Sequence, residues 1–101
     1  MQLEWDKNKN RLNKRKHGLS FETASLVFLD PFLLSVPDNR HTYSEERWQS
    51  LGLIQDILIY VAHTVGETDH GEEIIRIISA RAATPGETRR YYTYRNDDER
   101  A

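Results

Sequence analysis

Glu72-Glu73-Ile74-Ile75-Arg76-Ile77-Ile78-Ser79-Ala80-Arg81 is the most strand-like stretch of the chain. Aliphatic, β-branched residues flank Arg76 on both sides, which reads as a central strand rather than an edge or a helix. A guanidinium stays charged at ordinary pH, and removing it from water without a partner is costly. Such a strand either pairs its arginine with an internal acid or points it at an anionic ligand. Side chains alternate along a strand, so Arg76 and Arg81 have opposite parity.

Working outward, Thr84-Pro85-Gly86-Glu87 announces a helix directly after this strand. A threonine N-cap, proline at the first helical position and glutamate three residues after the cap make a capping box. The helix carries Arg89, Arg90, Tyr91, Tyr92, Tyr94 and Arg95, and residues 96–101 read as a frayed acidic tail. Upstream, Arg47 to Leu53 and Ile57 to Val65 read as strands joined at Gln55-Asp56, and Phe32 to Val36 as a short strand. Gln2 to Trp5 looks like a short strand too. Asp6 caps a polar helix over Lys7 to His17, closed by Gly18. Ser20 caps a second helix, Phe21 to Leu29, ended by Asp30-Pro31. The expected fold is α+β: an antiparallel sheet of about four strands, helices on one face, two of them N-terminal and one C-terminal. Residues 1–95 are expected to form one domain.

The chain has 101 residues, 38% hydrophobic and 30% charged, the composition of a soluble globular domain. No apolar run approaches the ~20 residues that span a bilayer, and the first residues lack the pattern of a signal peptide. Cysteine is absent, so a reducing cytoplasm is the expected setting. The formal net charge of −2 argues against a simple electrostatic nucleic-acid binder. The distribution is uneven. Residues 1–17 hold six Lys and Arg against Glu4 and Asp6, every lysine lies there, and every later Lys/Arg-type cation is an arginine. Arginine recognises phosphate or carboxylate through a planar fork that lysine lacks.

Four constellations carry possible chemistry. Arg76 and Arg81 offer a cationic pocket for a phosphodiester, or else an internal salt bridge to Glu46, Glu72 or another acid on a neighbouring strand. Asp38, His41, Glu45, Glu46 and Arg47 combine a histidine of near-neutral reference pKa with carboxylates and an arginine, the ingredients of acid–base catalysis, or simply make a polar loop. The basic first helix, with Lys9 and Lys16 beside Trp5, offers an RNA backbone track or is a solvated surface. Arg89, Arg90, Tyr91, Tyr92 and Tyr94 suit an interface, base stacking, or packing onto the sheet. His17 suits a helix end and His63 a satisfied structural role. His70 with Asp69 and Glu67 lacks a recognised ligand spacing, so no metal and no cofactor is expected.

Taken in order, several blocks resemble the BrnT family of bacterial type II toxins. They are Glu4-Trp5-Asp6, Lys9-Asn10, Asn13 and Lys16-His17-Gly18; Ser20-Phe21-Glu22, Ala24 and Val27-Phe28 to Asp30-Pro31; Glu45-Glu46-Arg47 and Gly52; and Ile75 to Arg81 with Ala83-Thr84 and Glu87 to Tyr91. The resemblance implies a RelE-like fold and a metal-independent ribonuclease that arrests growth. It implies a ribbon-helix-helix antitoxin of the BrnA type, through which alone the chain would meet DNA. It also implies attack of the RNA 2′-hydroxyl on the adjacent phosphate. On these residues Arg76 and Arg81 would stabilise the phosphorane, Arg47 would be a third clamp, His41 or Glu46 the general base, and Tyr91 a stacking or proton-relay group. Ala82 stands where the family usually has lysine, and Pro85-Gly86 where basic residues are common, which thins the positive charge there. The competing reading, from another class, is a non-catalytic interaction module acting through a DNA-binding partner.

Overall fold

The chain order is β1 (Gln2–Glu4), α1 (Lys7–His17), α2 (Phe21–Ala24), a 3-10 segment (Ser25–Leu29), β2 (Leu34–Pro37), β3 (Arg47–Ile54), β4 (Ile57–Glu67), β5 (Glu73–Ala82) and α3 (Pro85–Arg100). The computed structural model describes residues 1–38 and 46–100. Among these residues the strands form one five-stranded sheet in the order β1-β5-β4-β3-β2.

The α+β class is as expected, but the sheet is mixed and not purely antiparallel. β2, β3, β4 and β5 form an antiparallel meander, whereas β1 adds to β5 in parallel, with Gln2 opposite Ile74 and Glu4 opposite Arg76. A meander is legible from consecutive hairpins. A strand that pairs with another some seventy positions away leaves no local signal.

The helices do not share one face either. Alternation along β4 sends Ile59 and Val61 to one core, with Phe21, Ala24, Val27, Ile77 and Ala80. It sends Leu58 and Tyr60 to a second core, with Leu51 and Tyr91. Thus α1, α2 and the 3-10 segment cover one side of the sheet, and α3 covers part of the other.

Local chemistry explains the elements. The Asp6 carboxylate accepts the backbone N–H groups of Asn8 and Lys9, at 2.8 and 3.0 Å, and Gly18 closes α1 with φ of +70°. α1 has almost no apolar face, and a buried asparagine anchors it instead. The Asn13 side-chain amide donates to the carbonyls of Leu19 and Ala80 and accepts the Ala80 N–H, at 2.8, 2.9 and 3.1 Å. Asn10 accepts the Phe21 N–H at 2.8 Å and so ties the start of α2 to α1.

The helix expected over Phe21 to Leu29 is α-helical only to Ala24 and then tightens to 3-10. That segment lies directly on β3, where a Cβ at Gly52 would stand 2.8 Å from Val27 Cβ and 2.9 Å from its carbonyl oxygen. At the start of α3 the capping box is present. Thr84 N–H donates to Glu87 Oε1 at 2.9 Å, and Glu87 N–H to Thr84 Oγ1 at 3.2 Å. The backbone continues helical through Asn96 to Arg100.

No helix among the described residues is long and apolar enough to cross a membrane.

Candidate functional site

Between β4 and β5 the pairing runs Val61–Ala80 and Ala62–Ser79, then His63–Ile77 and Thr64–Arg76. One residue of β5, Ile78, has no counterpart. This β-bulge removes one step from the alternation. Arg76 and Arg81, of opposite parity by count, therefore lie on the same face of the sheet, the one that α3 partly covers.

Register extends the arrangement across neighbouring strands. Arg47, Thr64, Arg76 and Glu4 form one row, contributed by β3, β4, β5 and β1. Leu34, Leu51, Tyr60 and Arg81 form another, four residues further along β4. The two rows are roughly 13 Å apart at about 3.3 Å per residue. Tyr91 of α3 packs on the Leu51–Tyr60 row and leaves the Arg47–Arg76 row open. Beside it lies a depression of about 440 Å³ lined by Arg76, Thr64, Gly66, Glu4, Glu46 and Glu67, among others.

The two arginines are held differently. Arg76 makes one loose ion pair, Nη1 to Glu4 Oε1 at 3.4 Å, and its side chain is 42% exposed. Arg81 makes a bidentate pair with Glu87, at 2.8 and 3.0 Å. Its Nη1 also donates to the Ala82 carbonyl at 3.2 Å, and its Cζ sits 3.9 Å above the centre of the Tyr60 ring. Hydrogen bonding to Glu87 raises the Arg81 pKa above its ordinary value, and the same contact holds the Glu87 carboxyl below its own. Of the two uses a strand arginine can have, Arg81 shows internal pairing strongly, Arg76 weakly.

Glu46 lines the depression beside Arg76. His41 and Glu45 lie outside the described residues. Lys9 and Lys16 are exposed on α1, an element that packs on β5 from the opposite side of the sheet.

Tyr91 is the clearest departure from expectation. It is fully buried, and its hydroxyl donates to Asp30 Oδ2 at 2.5 Å. No ring face is left for a base. Burial and the Asp30 contact push its hydroxyl far above the usual tyrosine range. Burial also raises the Asp30 carboxyl, but the N–H groups of Leu53 and Phe32 and the Tyr91 hydroxyl outweigh that and hold it below its ordinary value. Tyr92 and Tyr94 are the exposed tyrosines of α3.

His63 fills the structural role expected of it. Its Nδ1 faces the Thr64 carbonyl at 3.2 Å and so carries the proton, leaving Nε2 to accept from Ser50 Oγ at 2.6 Å. Ser50 in turn contacts Ser35 Oγ at 2.7 Å. Residues that sequence reasoning did not single out are Thr64, in the row between Arg47 and Arg76, and Glu87, seen only as a helix cap. Cross-strand register finds the first. The second follows from asking what faces the end of the arginine-bearing strand.

Residues 5–87 match a family described as a ribonuclease toxin, BrnT, of type II toxin-antitoxin systems. No curated protein matches the chain.

Proposed function

This chain belongs to the BrnT family of type II toxin–antitoxin ribonuclease toxins, and we propose that it cleaves RNA on the sheet face shared by Arg76 and Arg81. Family membership brings an RNA substrate and an antitoxin partner. The observation that supports this location is the bulge at Ile78, because it brings both strand arginines, with Arg47 and Thr64, to one face of the sheet.

In this reading the RNA backbone crosses the uncovered rows of the sheet. A 2′-hydroxyl attacks the adjacent phosphorus, and the pentacoordinate phosphorane collapses to a 2′,3′-cyclic phosphate as the P–O5′ bond breaks and the departing 5′-oxygen takes a proton from water. Arg76 is loosely held and can leave Glu4 for a phosphate oxygen. Arg81 supplies fixed positive charge, and Arg47 a third contact. Preorganised donors of this kind lower the barrier because they need no reorganisation as charge develops. Glu46 beside Arg76, or His41, takes the proton of the attacking hydroxyl. No metal takes part. Lys9 and Lys16 attract the strand from outside the site. The antitoxin is a ribbon-helix-helix protein of the BrnA type that covers the toxin, carries it to DNA and relieves growth arrest.

The test is cleavage of RNA by the purified chain, with and without EDTA. We expect cleavage in both, and a loss of about 10²- to 10³-fold in Arg76→Ala and Arg81→Ala singly, with unchanged circular dichroism. Full activity in both variants would overturn the site, and cleavage only without EDTA would overturn the metal-free chemistry.

One observation favours the rival class. Arg81 is already satisfied by Glu87, and acids surround Arg76. A non-catalytic module acting through a DNA-binding partner would leave RNA intact in both tubes.

A further inference from the structure

Arg81 is the penultimate residue of β5, and Glu87 stands in the first turn of α3, six positions on. The guanidinium has five N–H groups in a rigid plane. One hydrogen of Nη1 goes to Glu87 Oε1 and the other to the Ala82 carbonyl; one hydrogen of Nη2 goes to Glu87 Oε2. The Nε–H and the second Nη2 hydrogen have no acceptor among the described residues. These two project side by side along one edge of the plane, the spacing that a phosphate's two oxygens accept. The face of the plane rests on Tyr60.

Glu87 is itself fixed. Its Oε1 accepts the Thr84 N–H in the capping box, and its side chain is only 16% exposed against 33% for Arg81. One carboxylate thus serves two tasks, closing the helix and gripping the arginine. A cap alone needs one acceptor oxygen and no charge. The second oxygen and the charge are spent on the arginine.

We infer that Glu87 is a positioning residue: it orients Arg81 so that its Nε/Nη2 edge presents a preformed fork to an RNA phosphate. The inference rests on the reading of Arg81 as a phosphate contact. It explains why an arginine paired this thoroughly remains competent: the pairing occupies one edge and leaves the other. It also separates the two arginines by task. Arg81 holds a phosphate in a set place, and Arg76 is free to follow the reacting one.

The test uses single-turnover cleavage of a mixed-sequence, single-stranded RNA by the full chain, yielding a maximal rate and a half-saturating RNA concentration. Glu87→Gln keeps the cap acceptor but turns an amide donor toward Nη2. We expect its maximal rate to fall about 10- to 100-fold while half-saturation stays within about twofold. Glu87→Asp, which keeps the charge with a shorter reach, should recover part of the rate. Thr84→Ala loosens the cap without touching the pair, and should lower the melting temperature with the rate unchanged.

Arg81→Ala combined with Glu87→Gln should be no slower than Arg81→Ala alone, since there is nothing left to orient. A wild-type or faster rate in Glu87→Gln would overturn the inference, the faster rate by showing that Glu87 restrains Arg81. So would losses that multiply in the double variant, or a Thr84→Ala rate as low as that of Glu87→Gln. If Arg81→Ala itself cleaves normally, it is the reading of the site that fails, whatever Glu87 does.

Discussion

The two faces of one sheet are built to different rules. Under α1, α2 and the 3-10 segment, Phe21, Ala24, Val27, Val61 and Ala80 have no solvent exposure. Several polar groups there are enclosed and paired, as with Ser50, His63 and Asn13, while the buried Trp48 Nε1 has no partner among the described residues. The opposite face is covered only around Leu51, Leu58 and Tyr60, where Tyr91 lands. Beyond that patch its rows hold Arg47, Gln49, Thr64 and Arg76. The first face contributes apolar burial, worth roughly 25 cal/mol per Å². The second gives up part of that gain and leaves charged side chains at the surface. The same strands serve both ends, because alternation lets adjacent residues of β4 and β5 answer to different neighbours.

The largest expected effect that sharpens this contrast is the loss of cleavage in the Arg76 and Arg81 variants, with folding intact. Next comes the packed face. Gly52→Ala puts a methyl against the Val27 backbone and Cβ, which cannot swing away as a flexible side chain would. We expect a loss of about 1–3 kcal/mol, read as a lower melting temperature. A stability equal to that of the parent would show that this face is less tightly packed than it looks. Tyr91→Phe probes the covered end of the open face. It removes one hydrogen bond to a carboxylate that keeps two backbone donors, so about 1.5 kcal/mol should be lost in chemical denaturation. Because Tyr91 has no exposed ring, cleavage by the folded variant should not change.

The smallest effect is a dependence on pH. Burial lowers the His63 pKa below its ordinary 6.5, outweighing the Thr64 carbonyl and the charge of Glu73. The unfolded chain therefore takes up a proton at this residue before the native one does. Its contribution is complete above pH 6.5 and declines as pH falls from there through the lower native value. In His63→Gln that part of the slope of melting temperature against pH should vanish. An unchanged slope would assign it to other groups.

What was legible in the sequence follows from the range of each signal. The capping box at Thr84 and Glu87, the Asp6 cap and the Gly18 stop are complete within a few residues, and all are present. The meander was legible because its strands follow one another. β1 was not, as a parallel partner for β5, since its three residues meet Ile74 to Arg76 only in the folded chain. The bulge was hidden for a related reason: Ile78 is an extra residue only by comparison with β4. That hid the most useful fact about the site, that Arg76 and Arg81 share a face. Composition groups Tyr91 with Tyr92 and Tyr94, yet only Tyr91 points inward, to meet Asp30, 61 positions upstream. Likewise Asn13 looks like one more polar residue of a solvated helix until Ala80 is placed beside it.

The placement of β1 has a consequence for synthesis on the ribosome. Glu4 and Arg76 are 72 positions apart, and translation delivers the first long before the second. Until β5 emerges, the amino-terminal strand has no neighbour to pair with, and the row that holds Arg76 does not exist. Closing so long a loop adds little thermodynamic cost but slows folding, because the entropy is lost before the contact forms. The arginine surface is therefore assembled late, when most of the chain has left the ribosome.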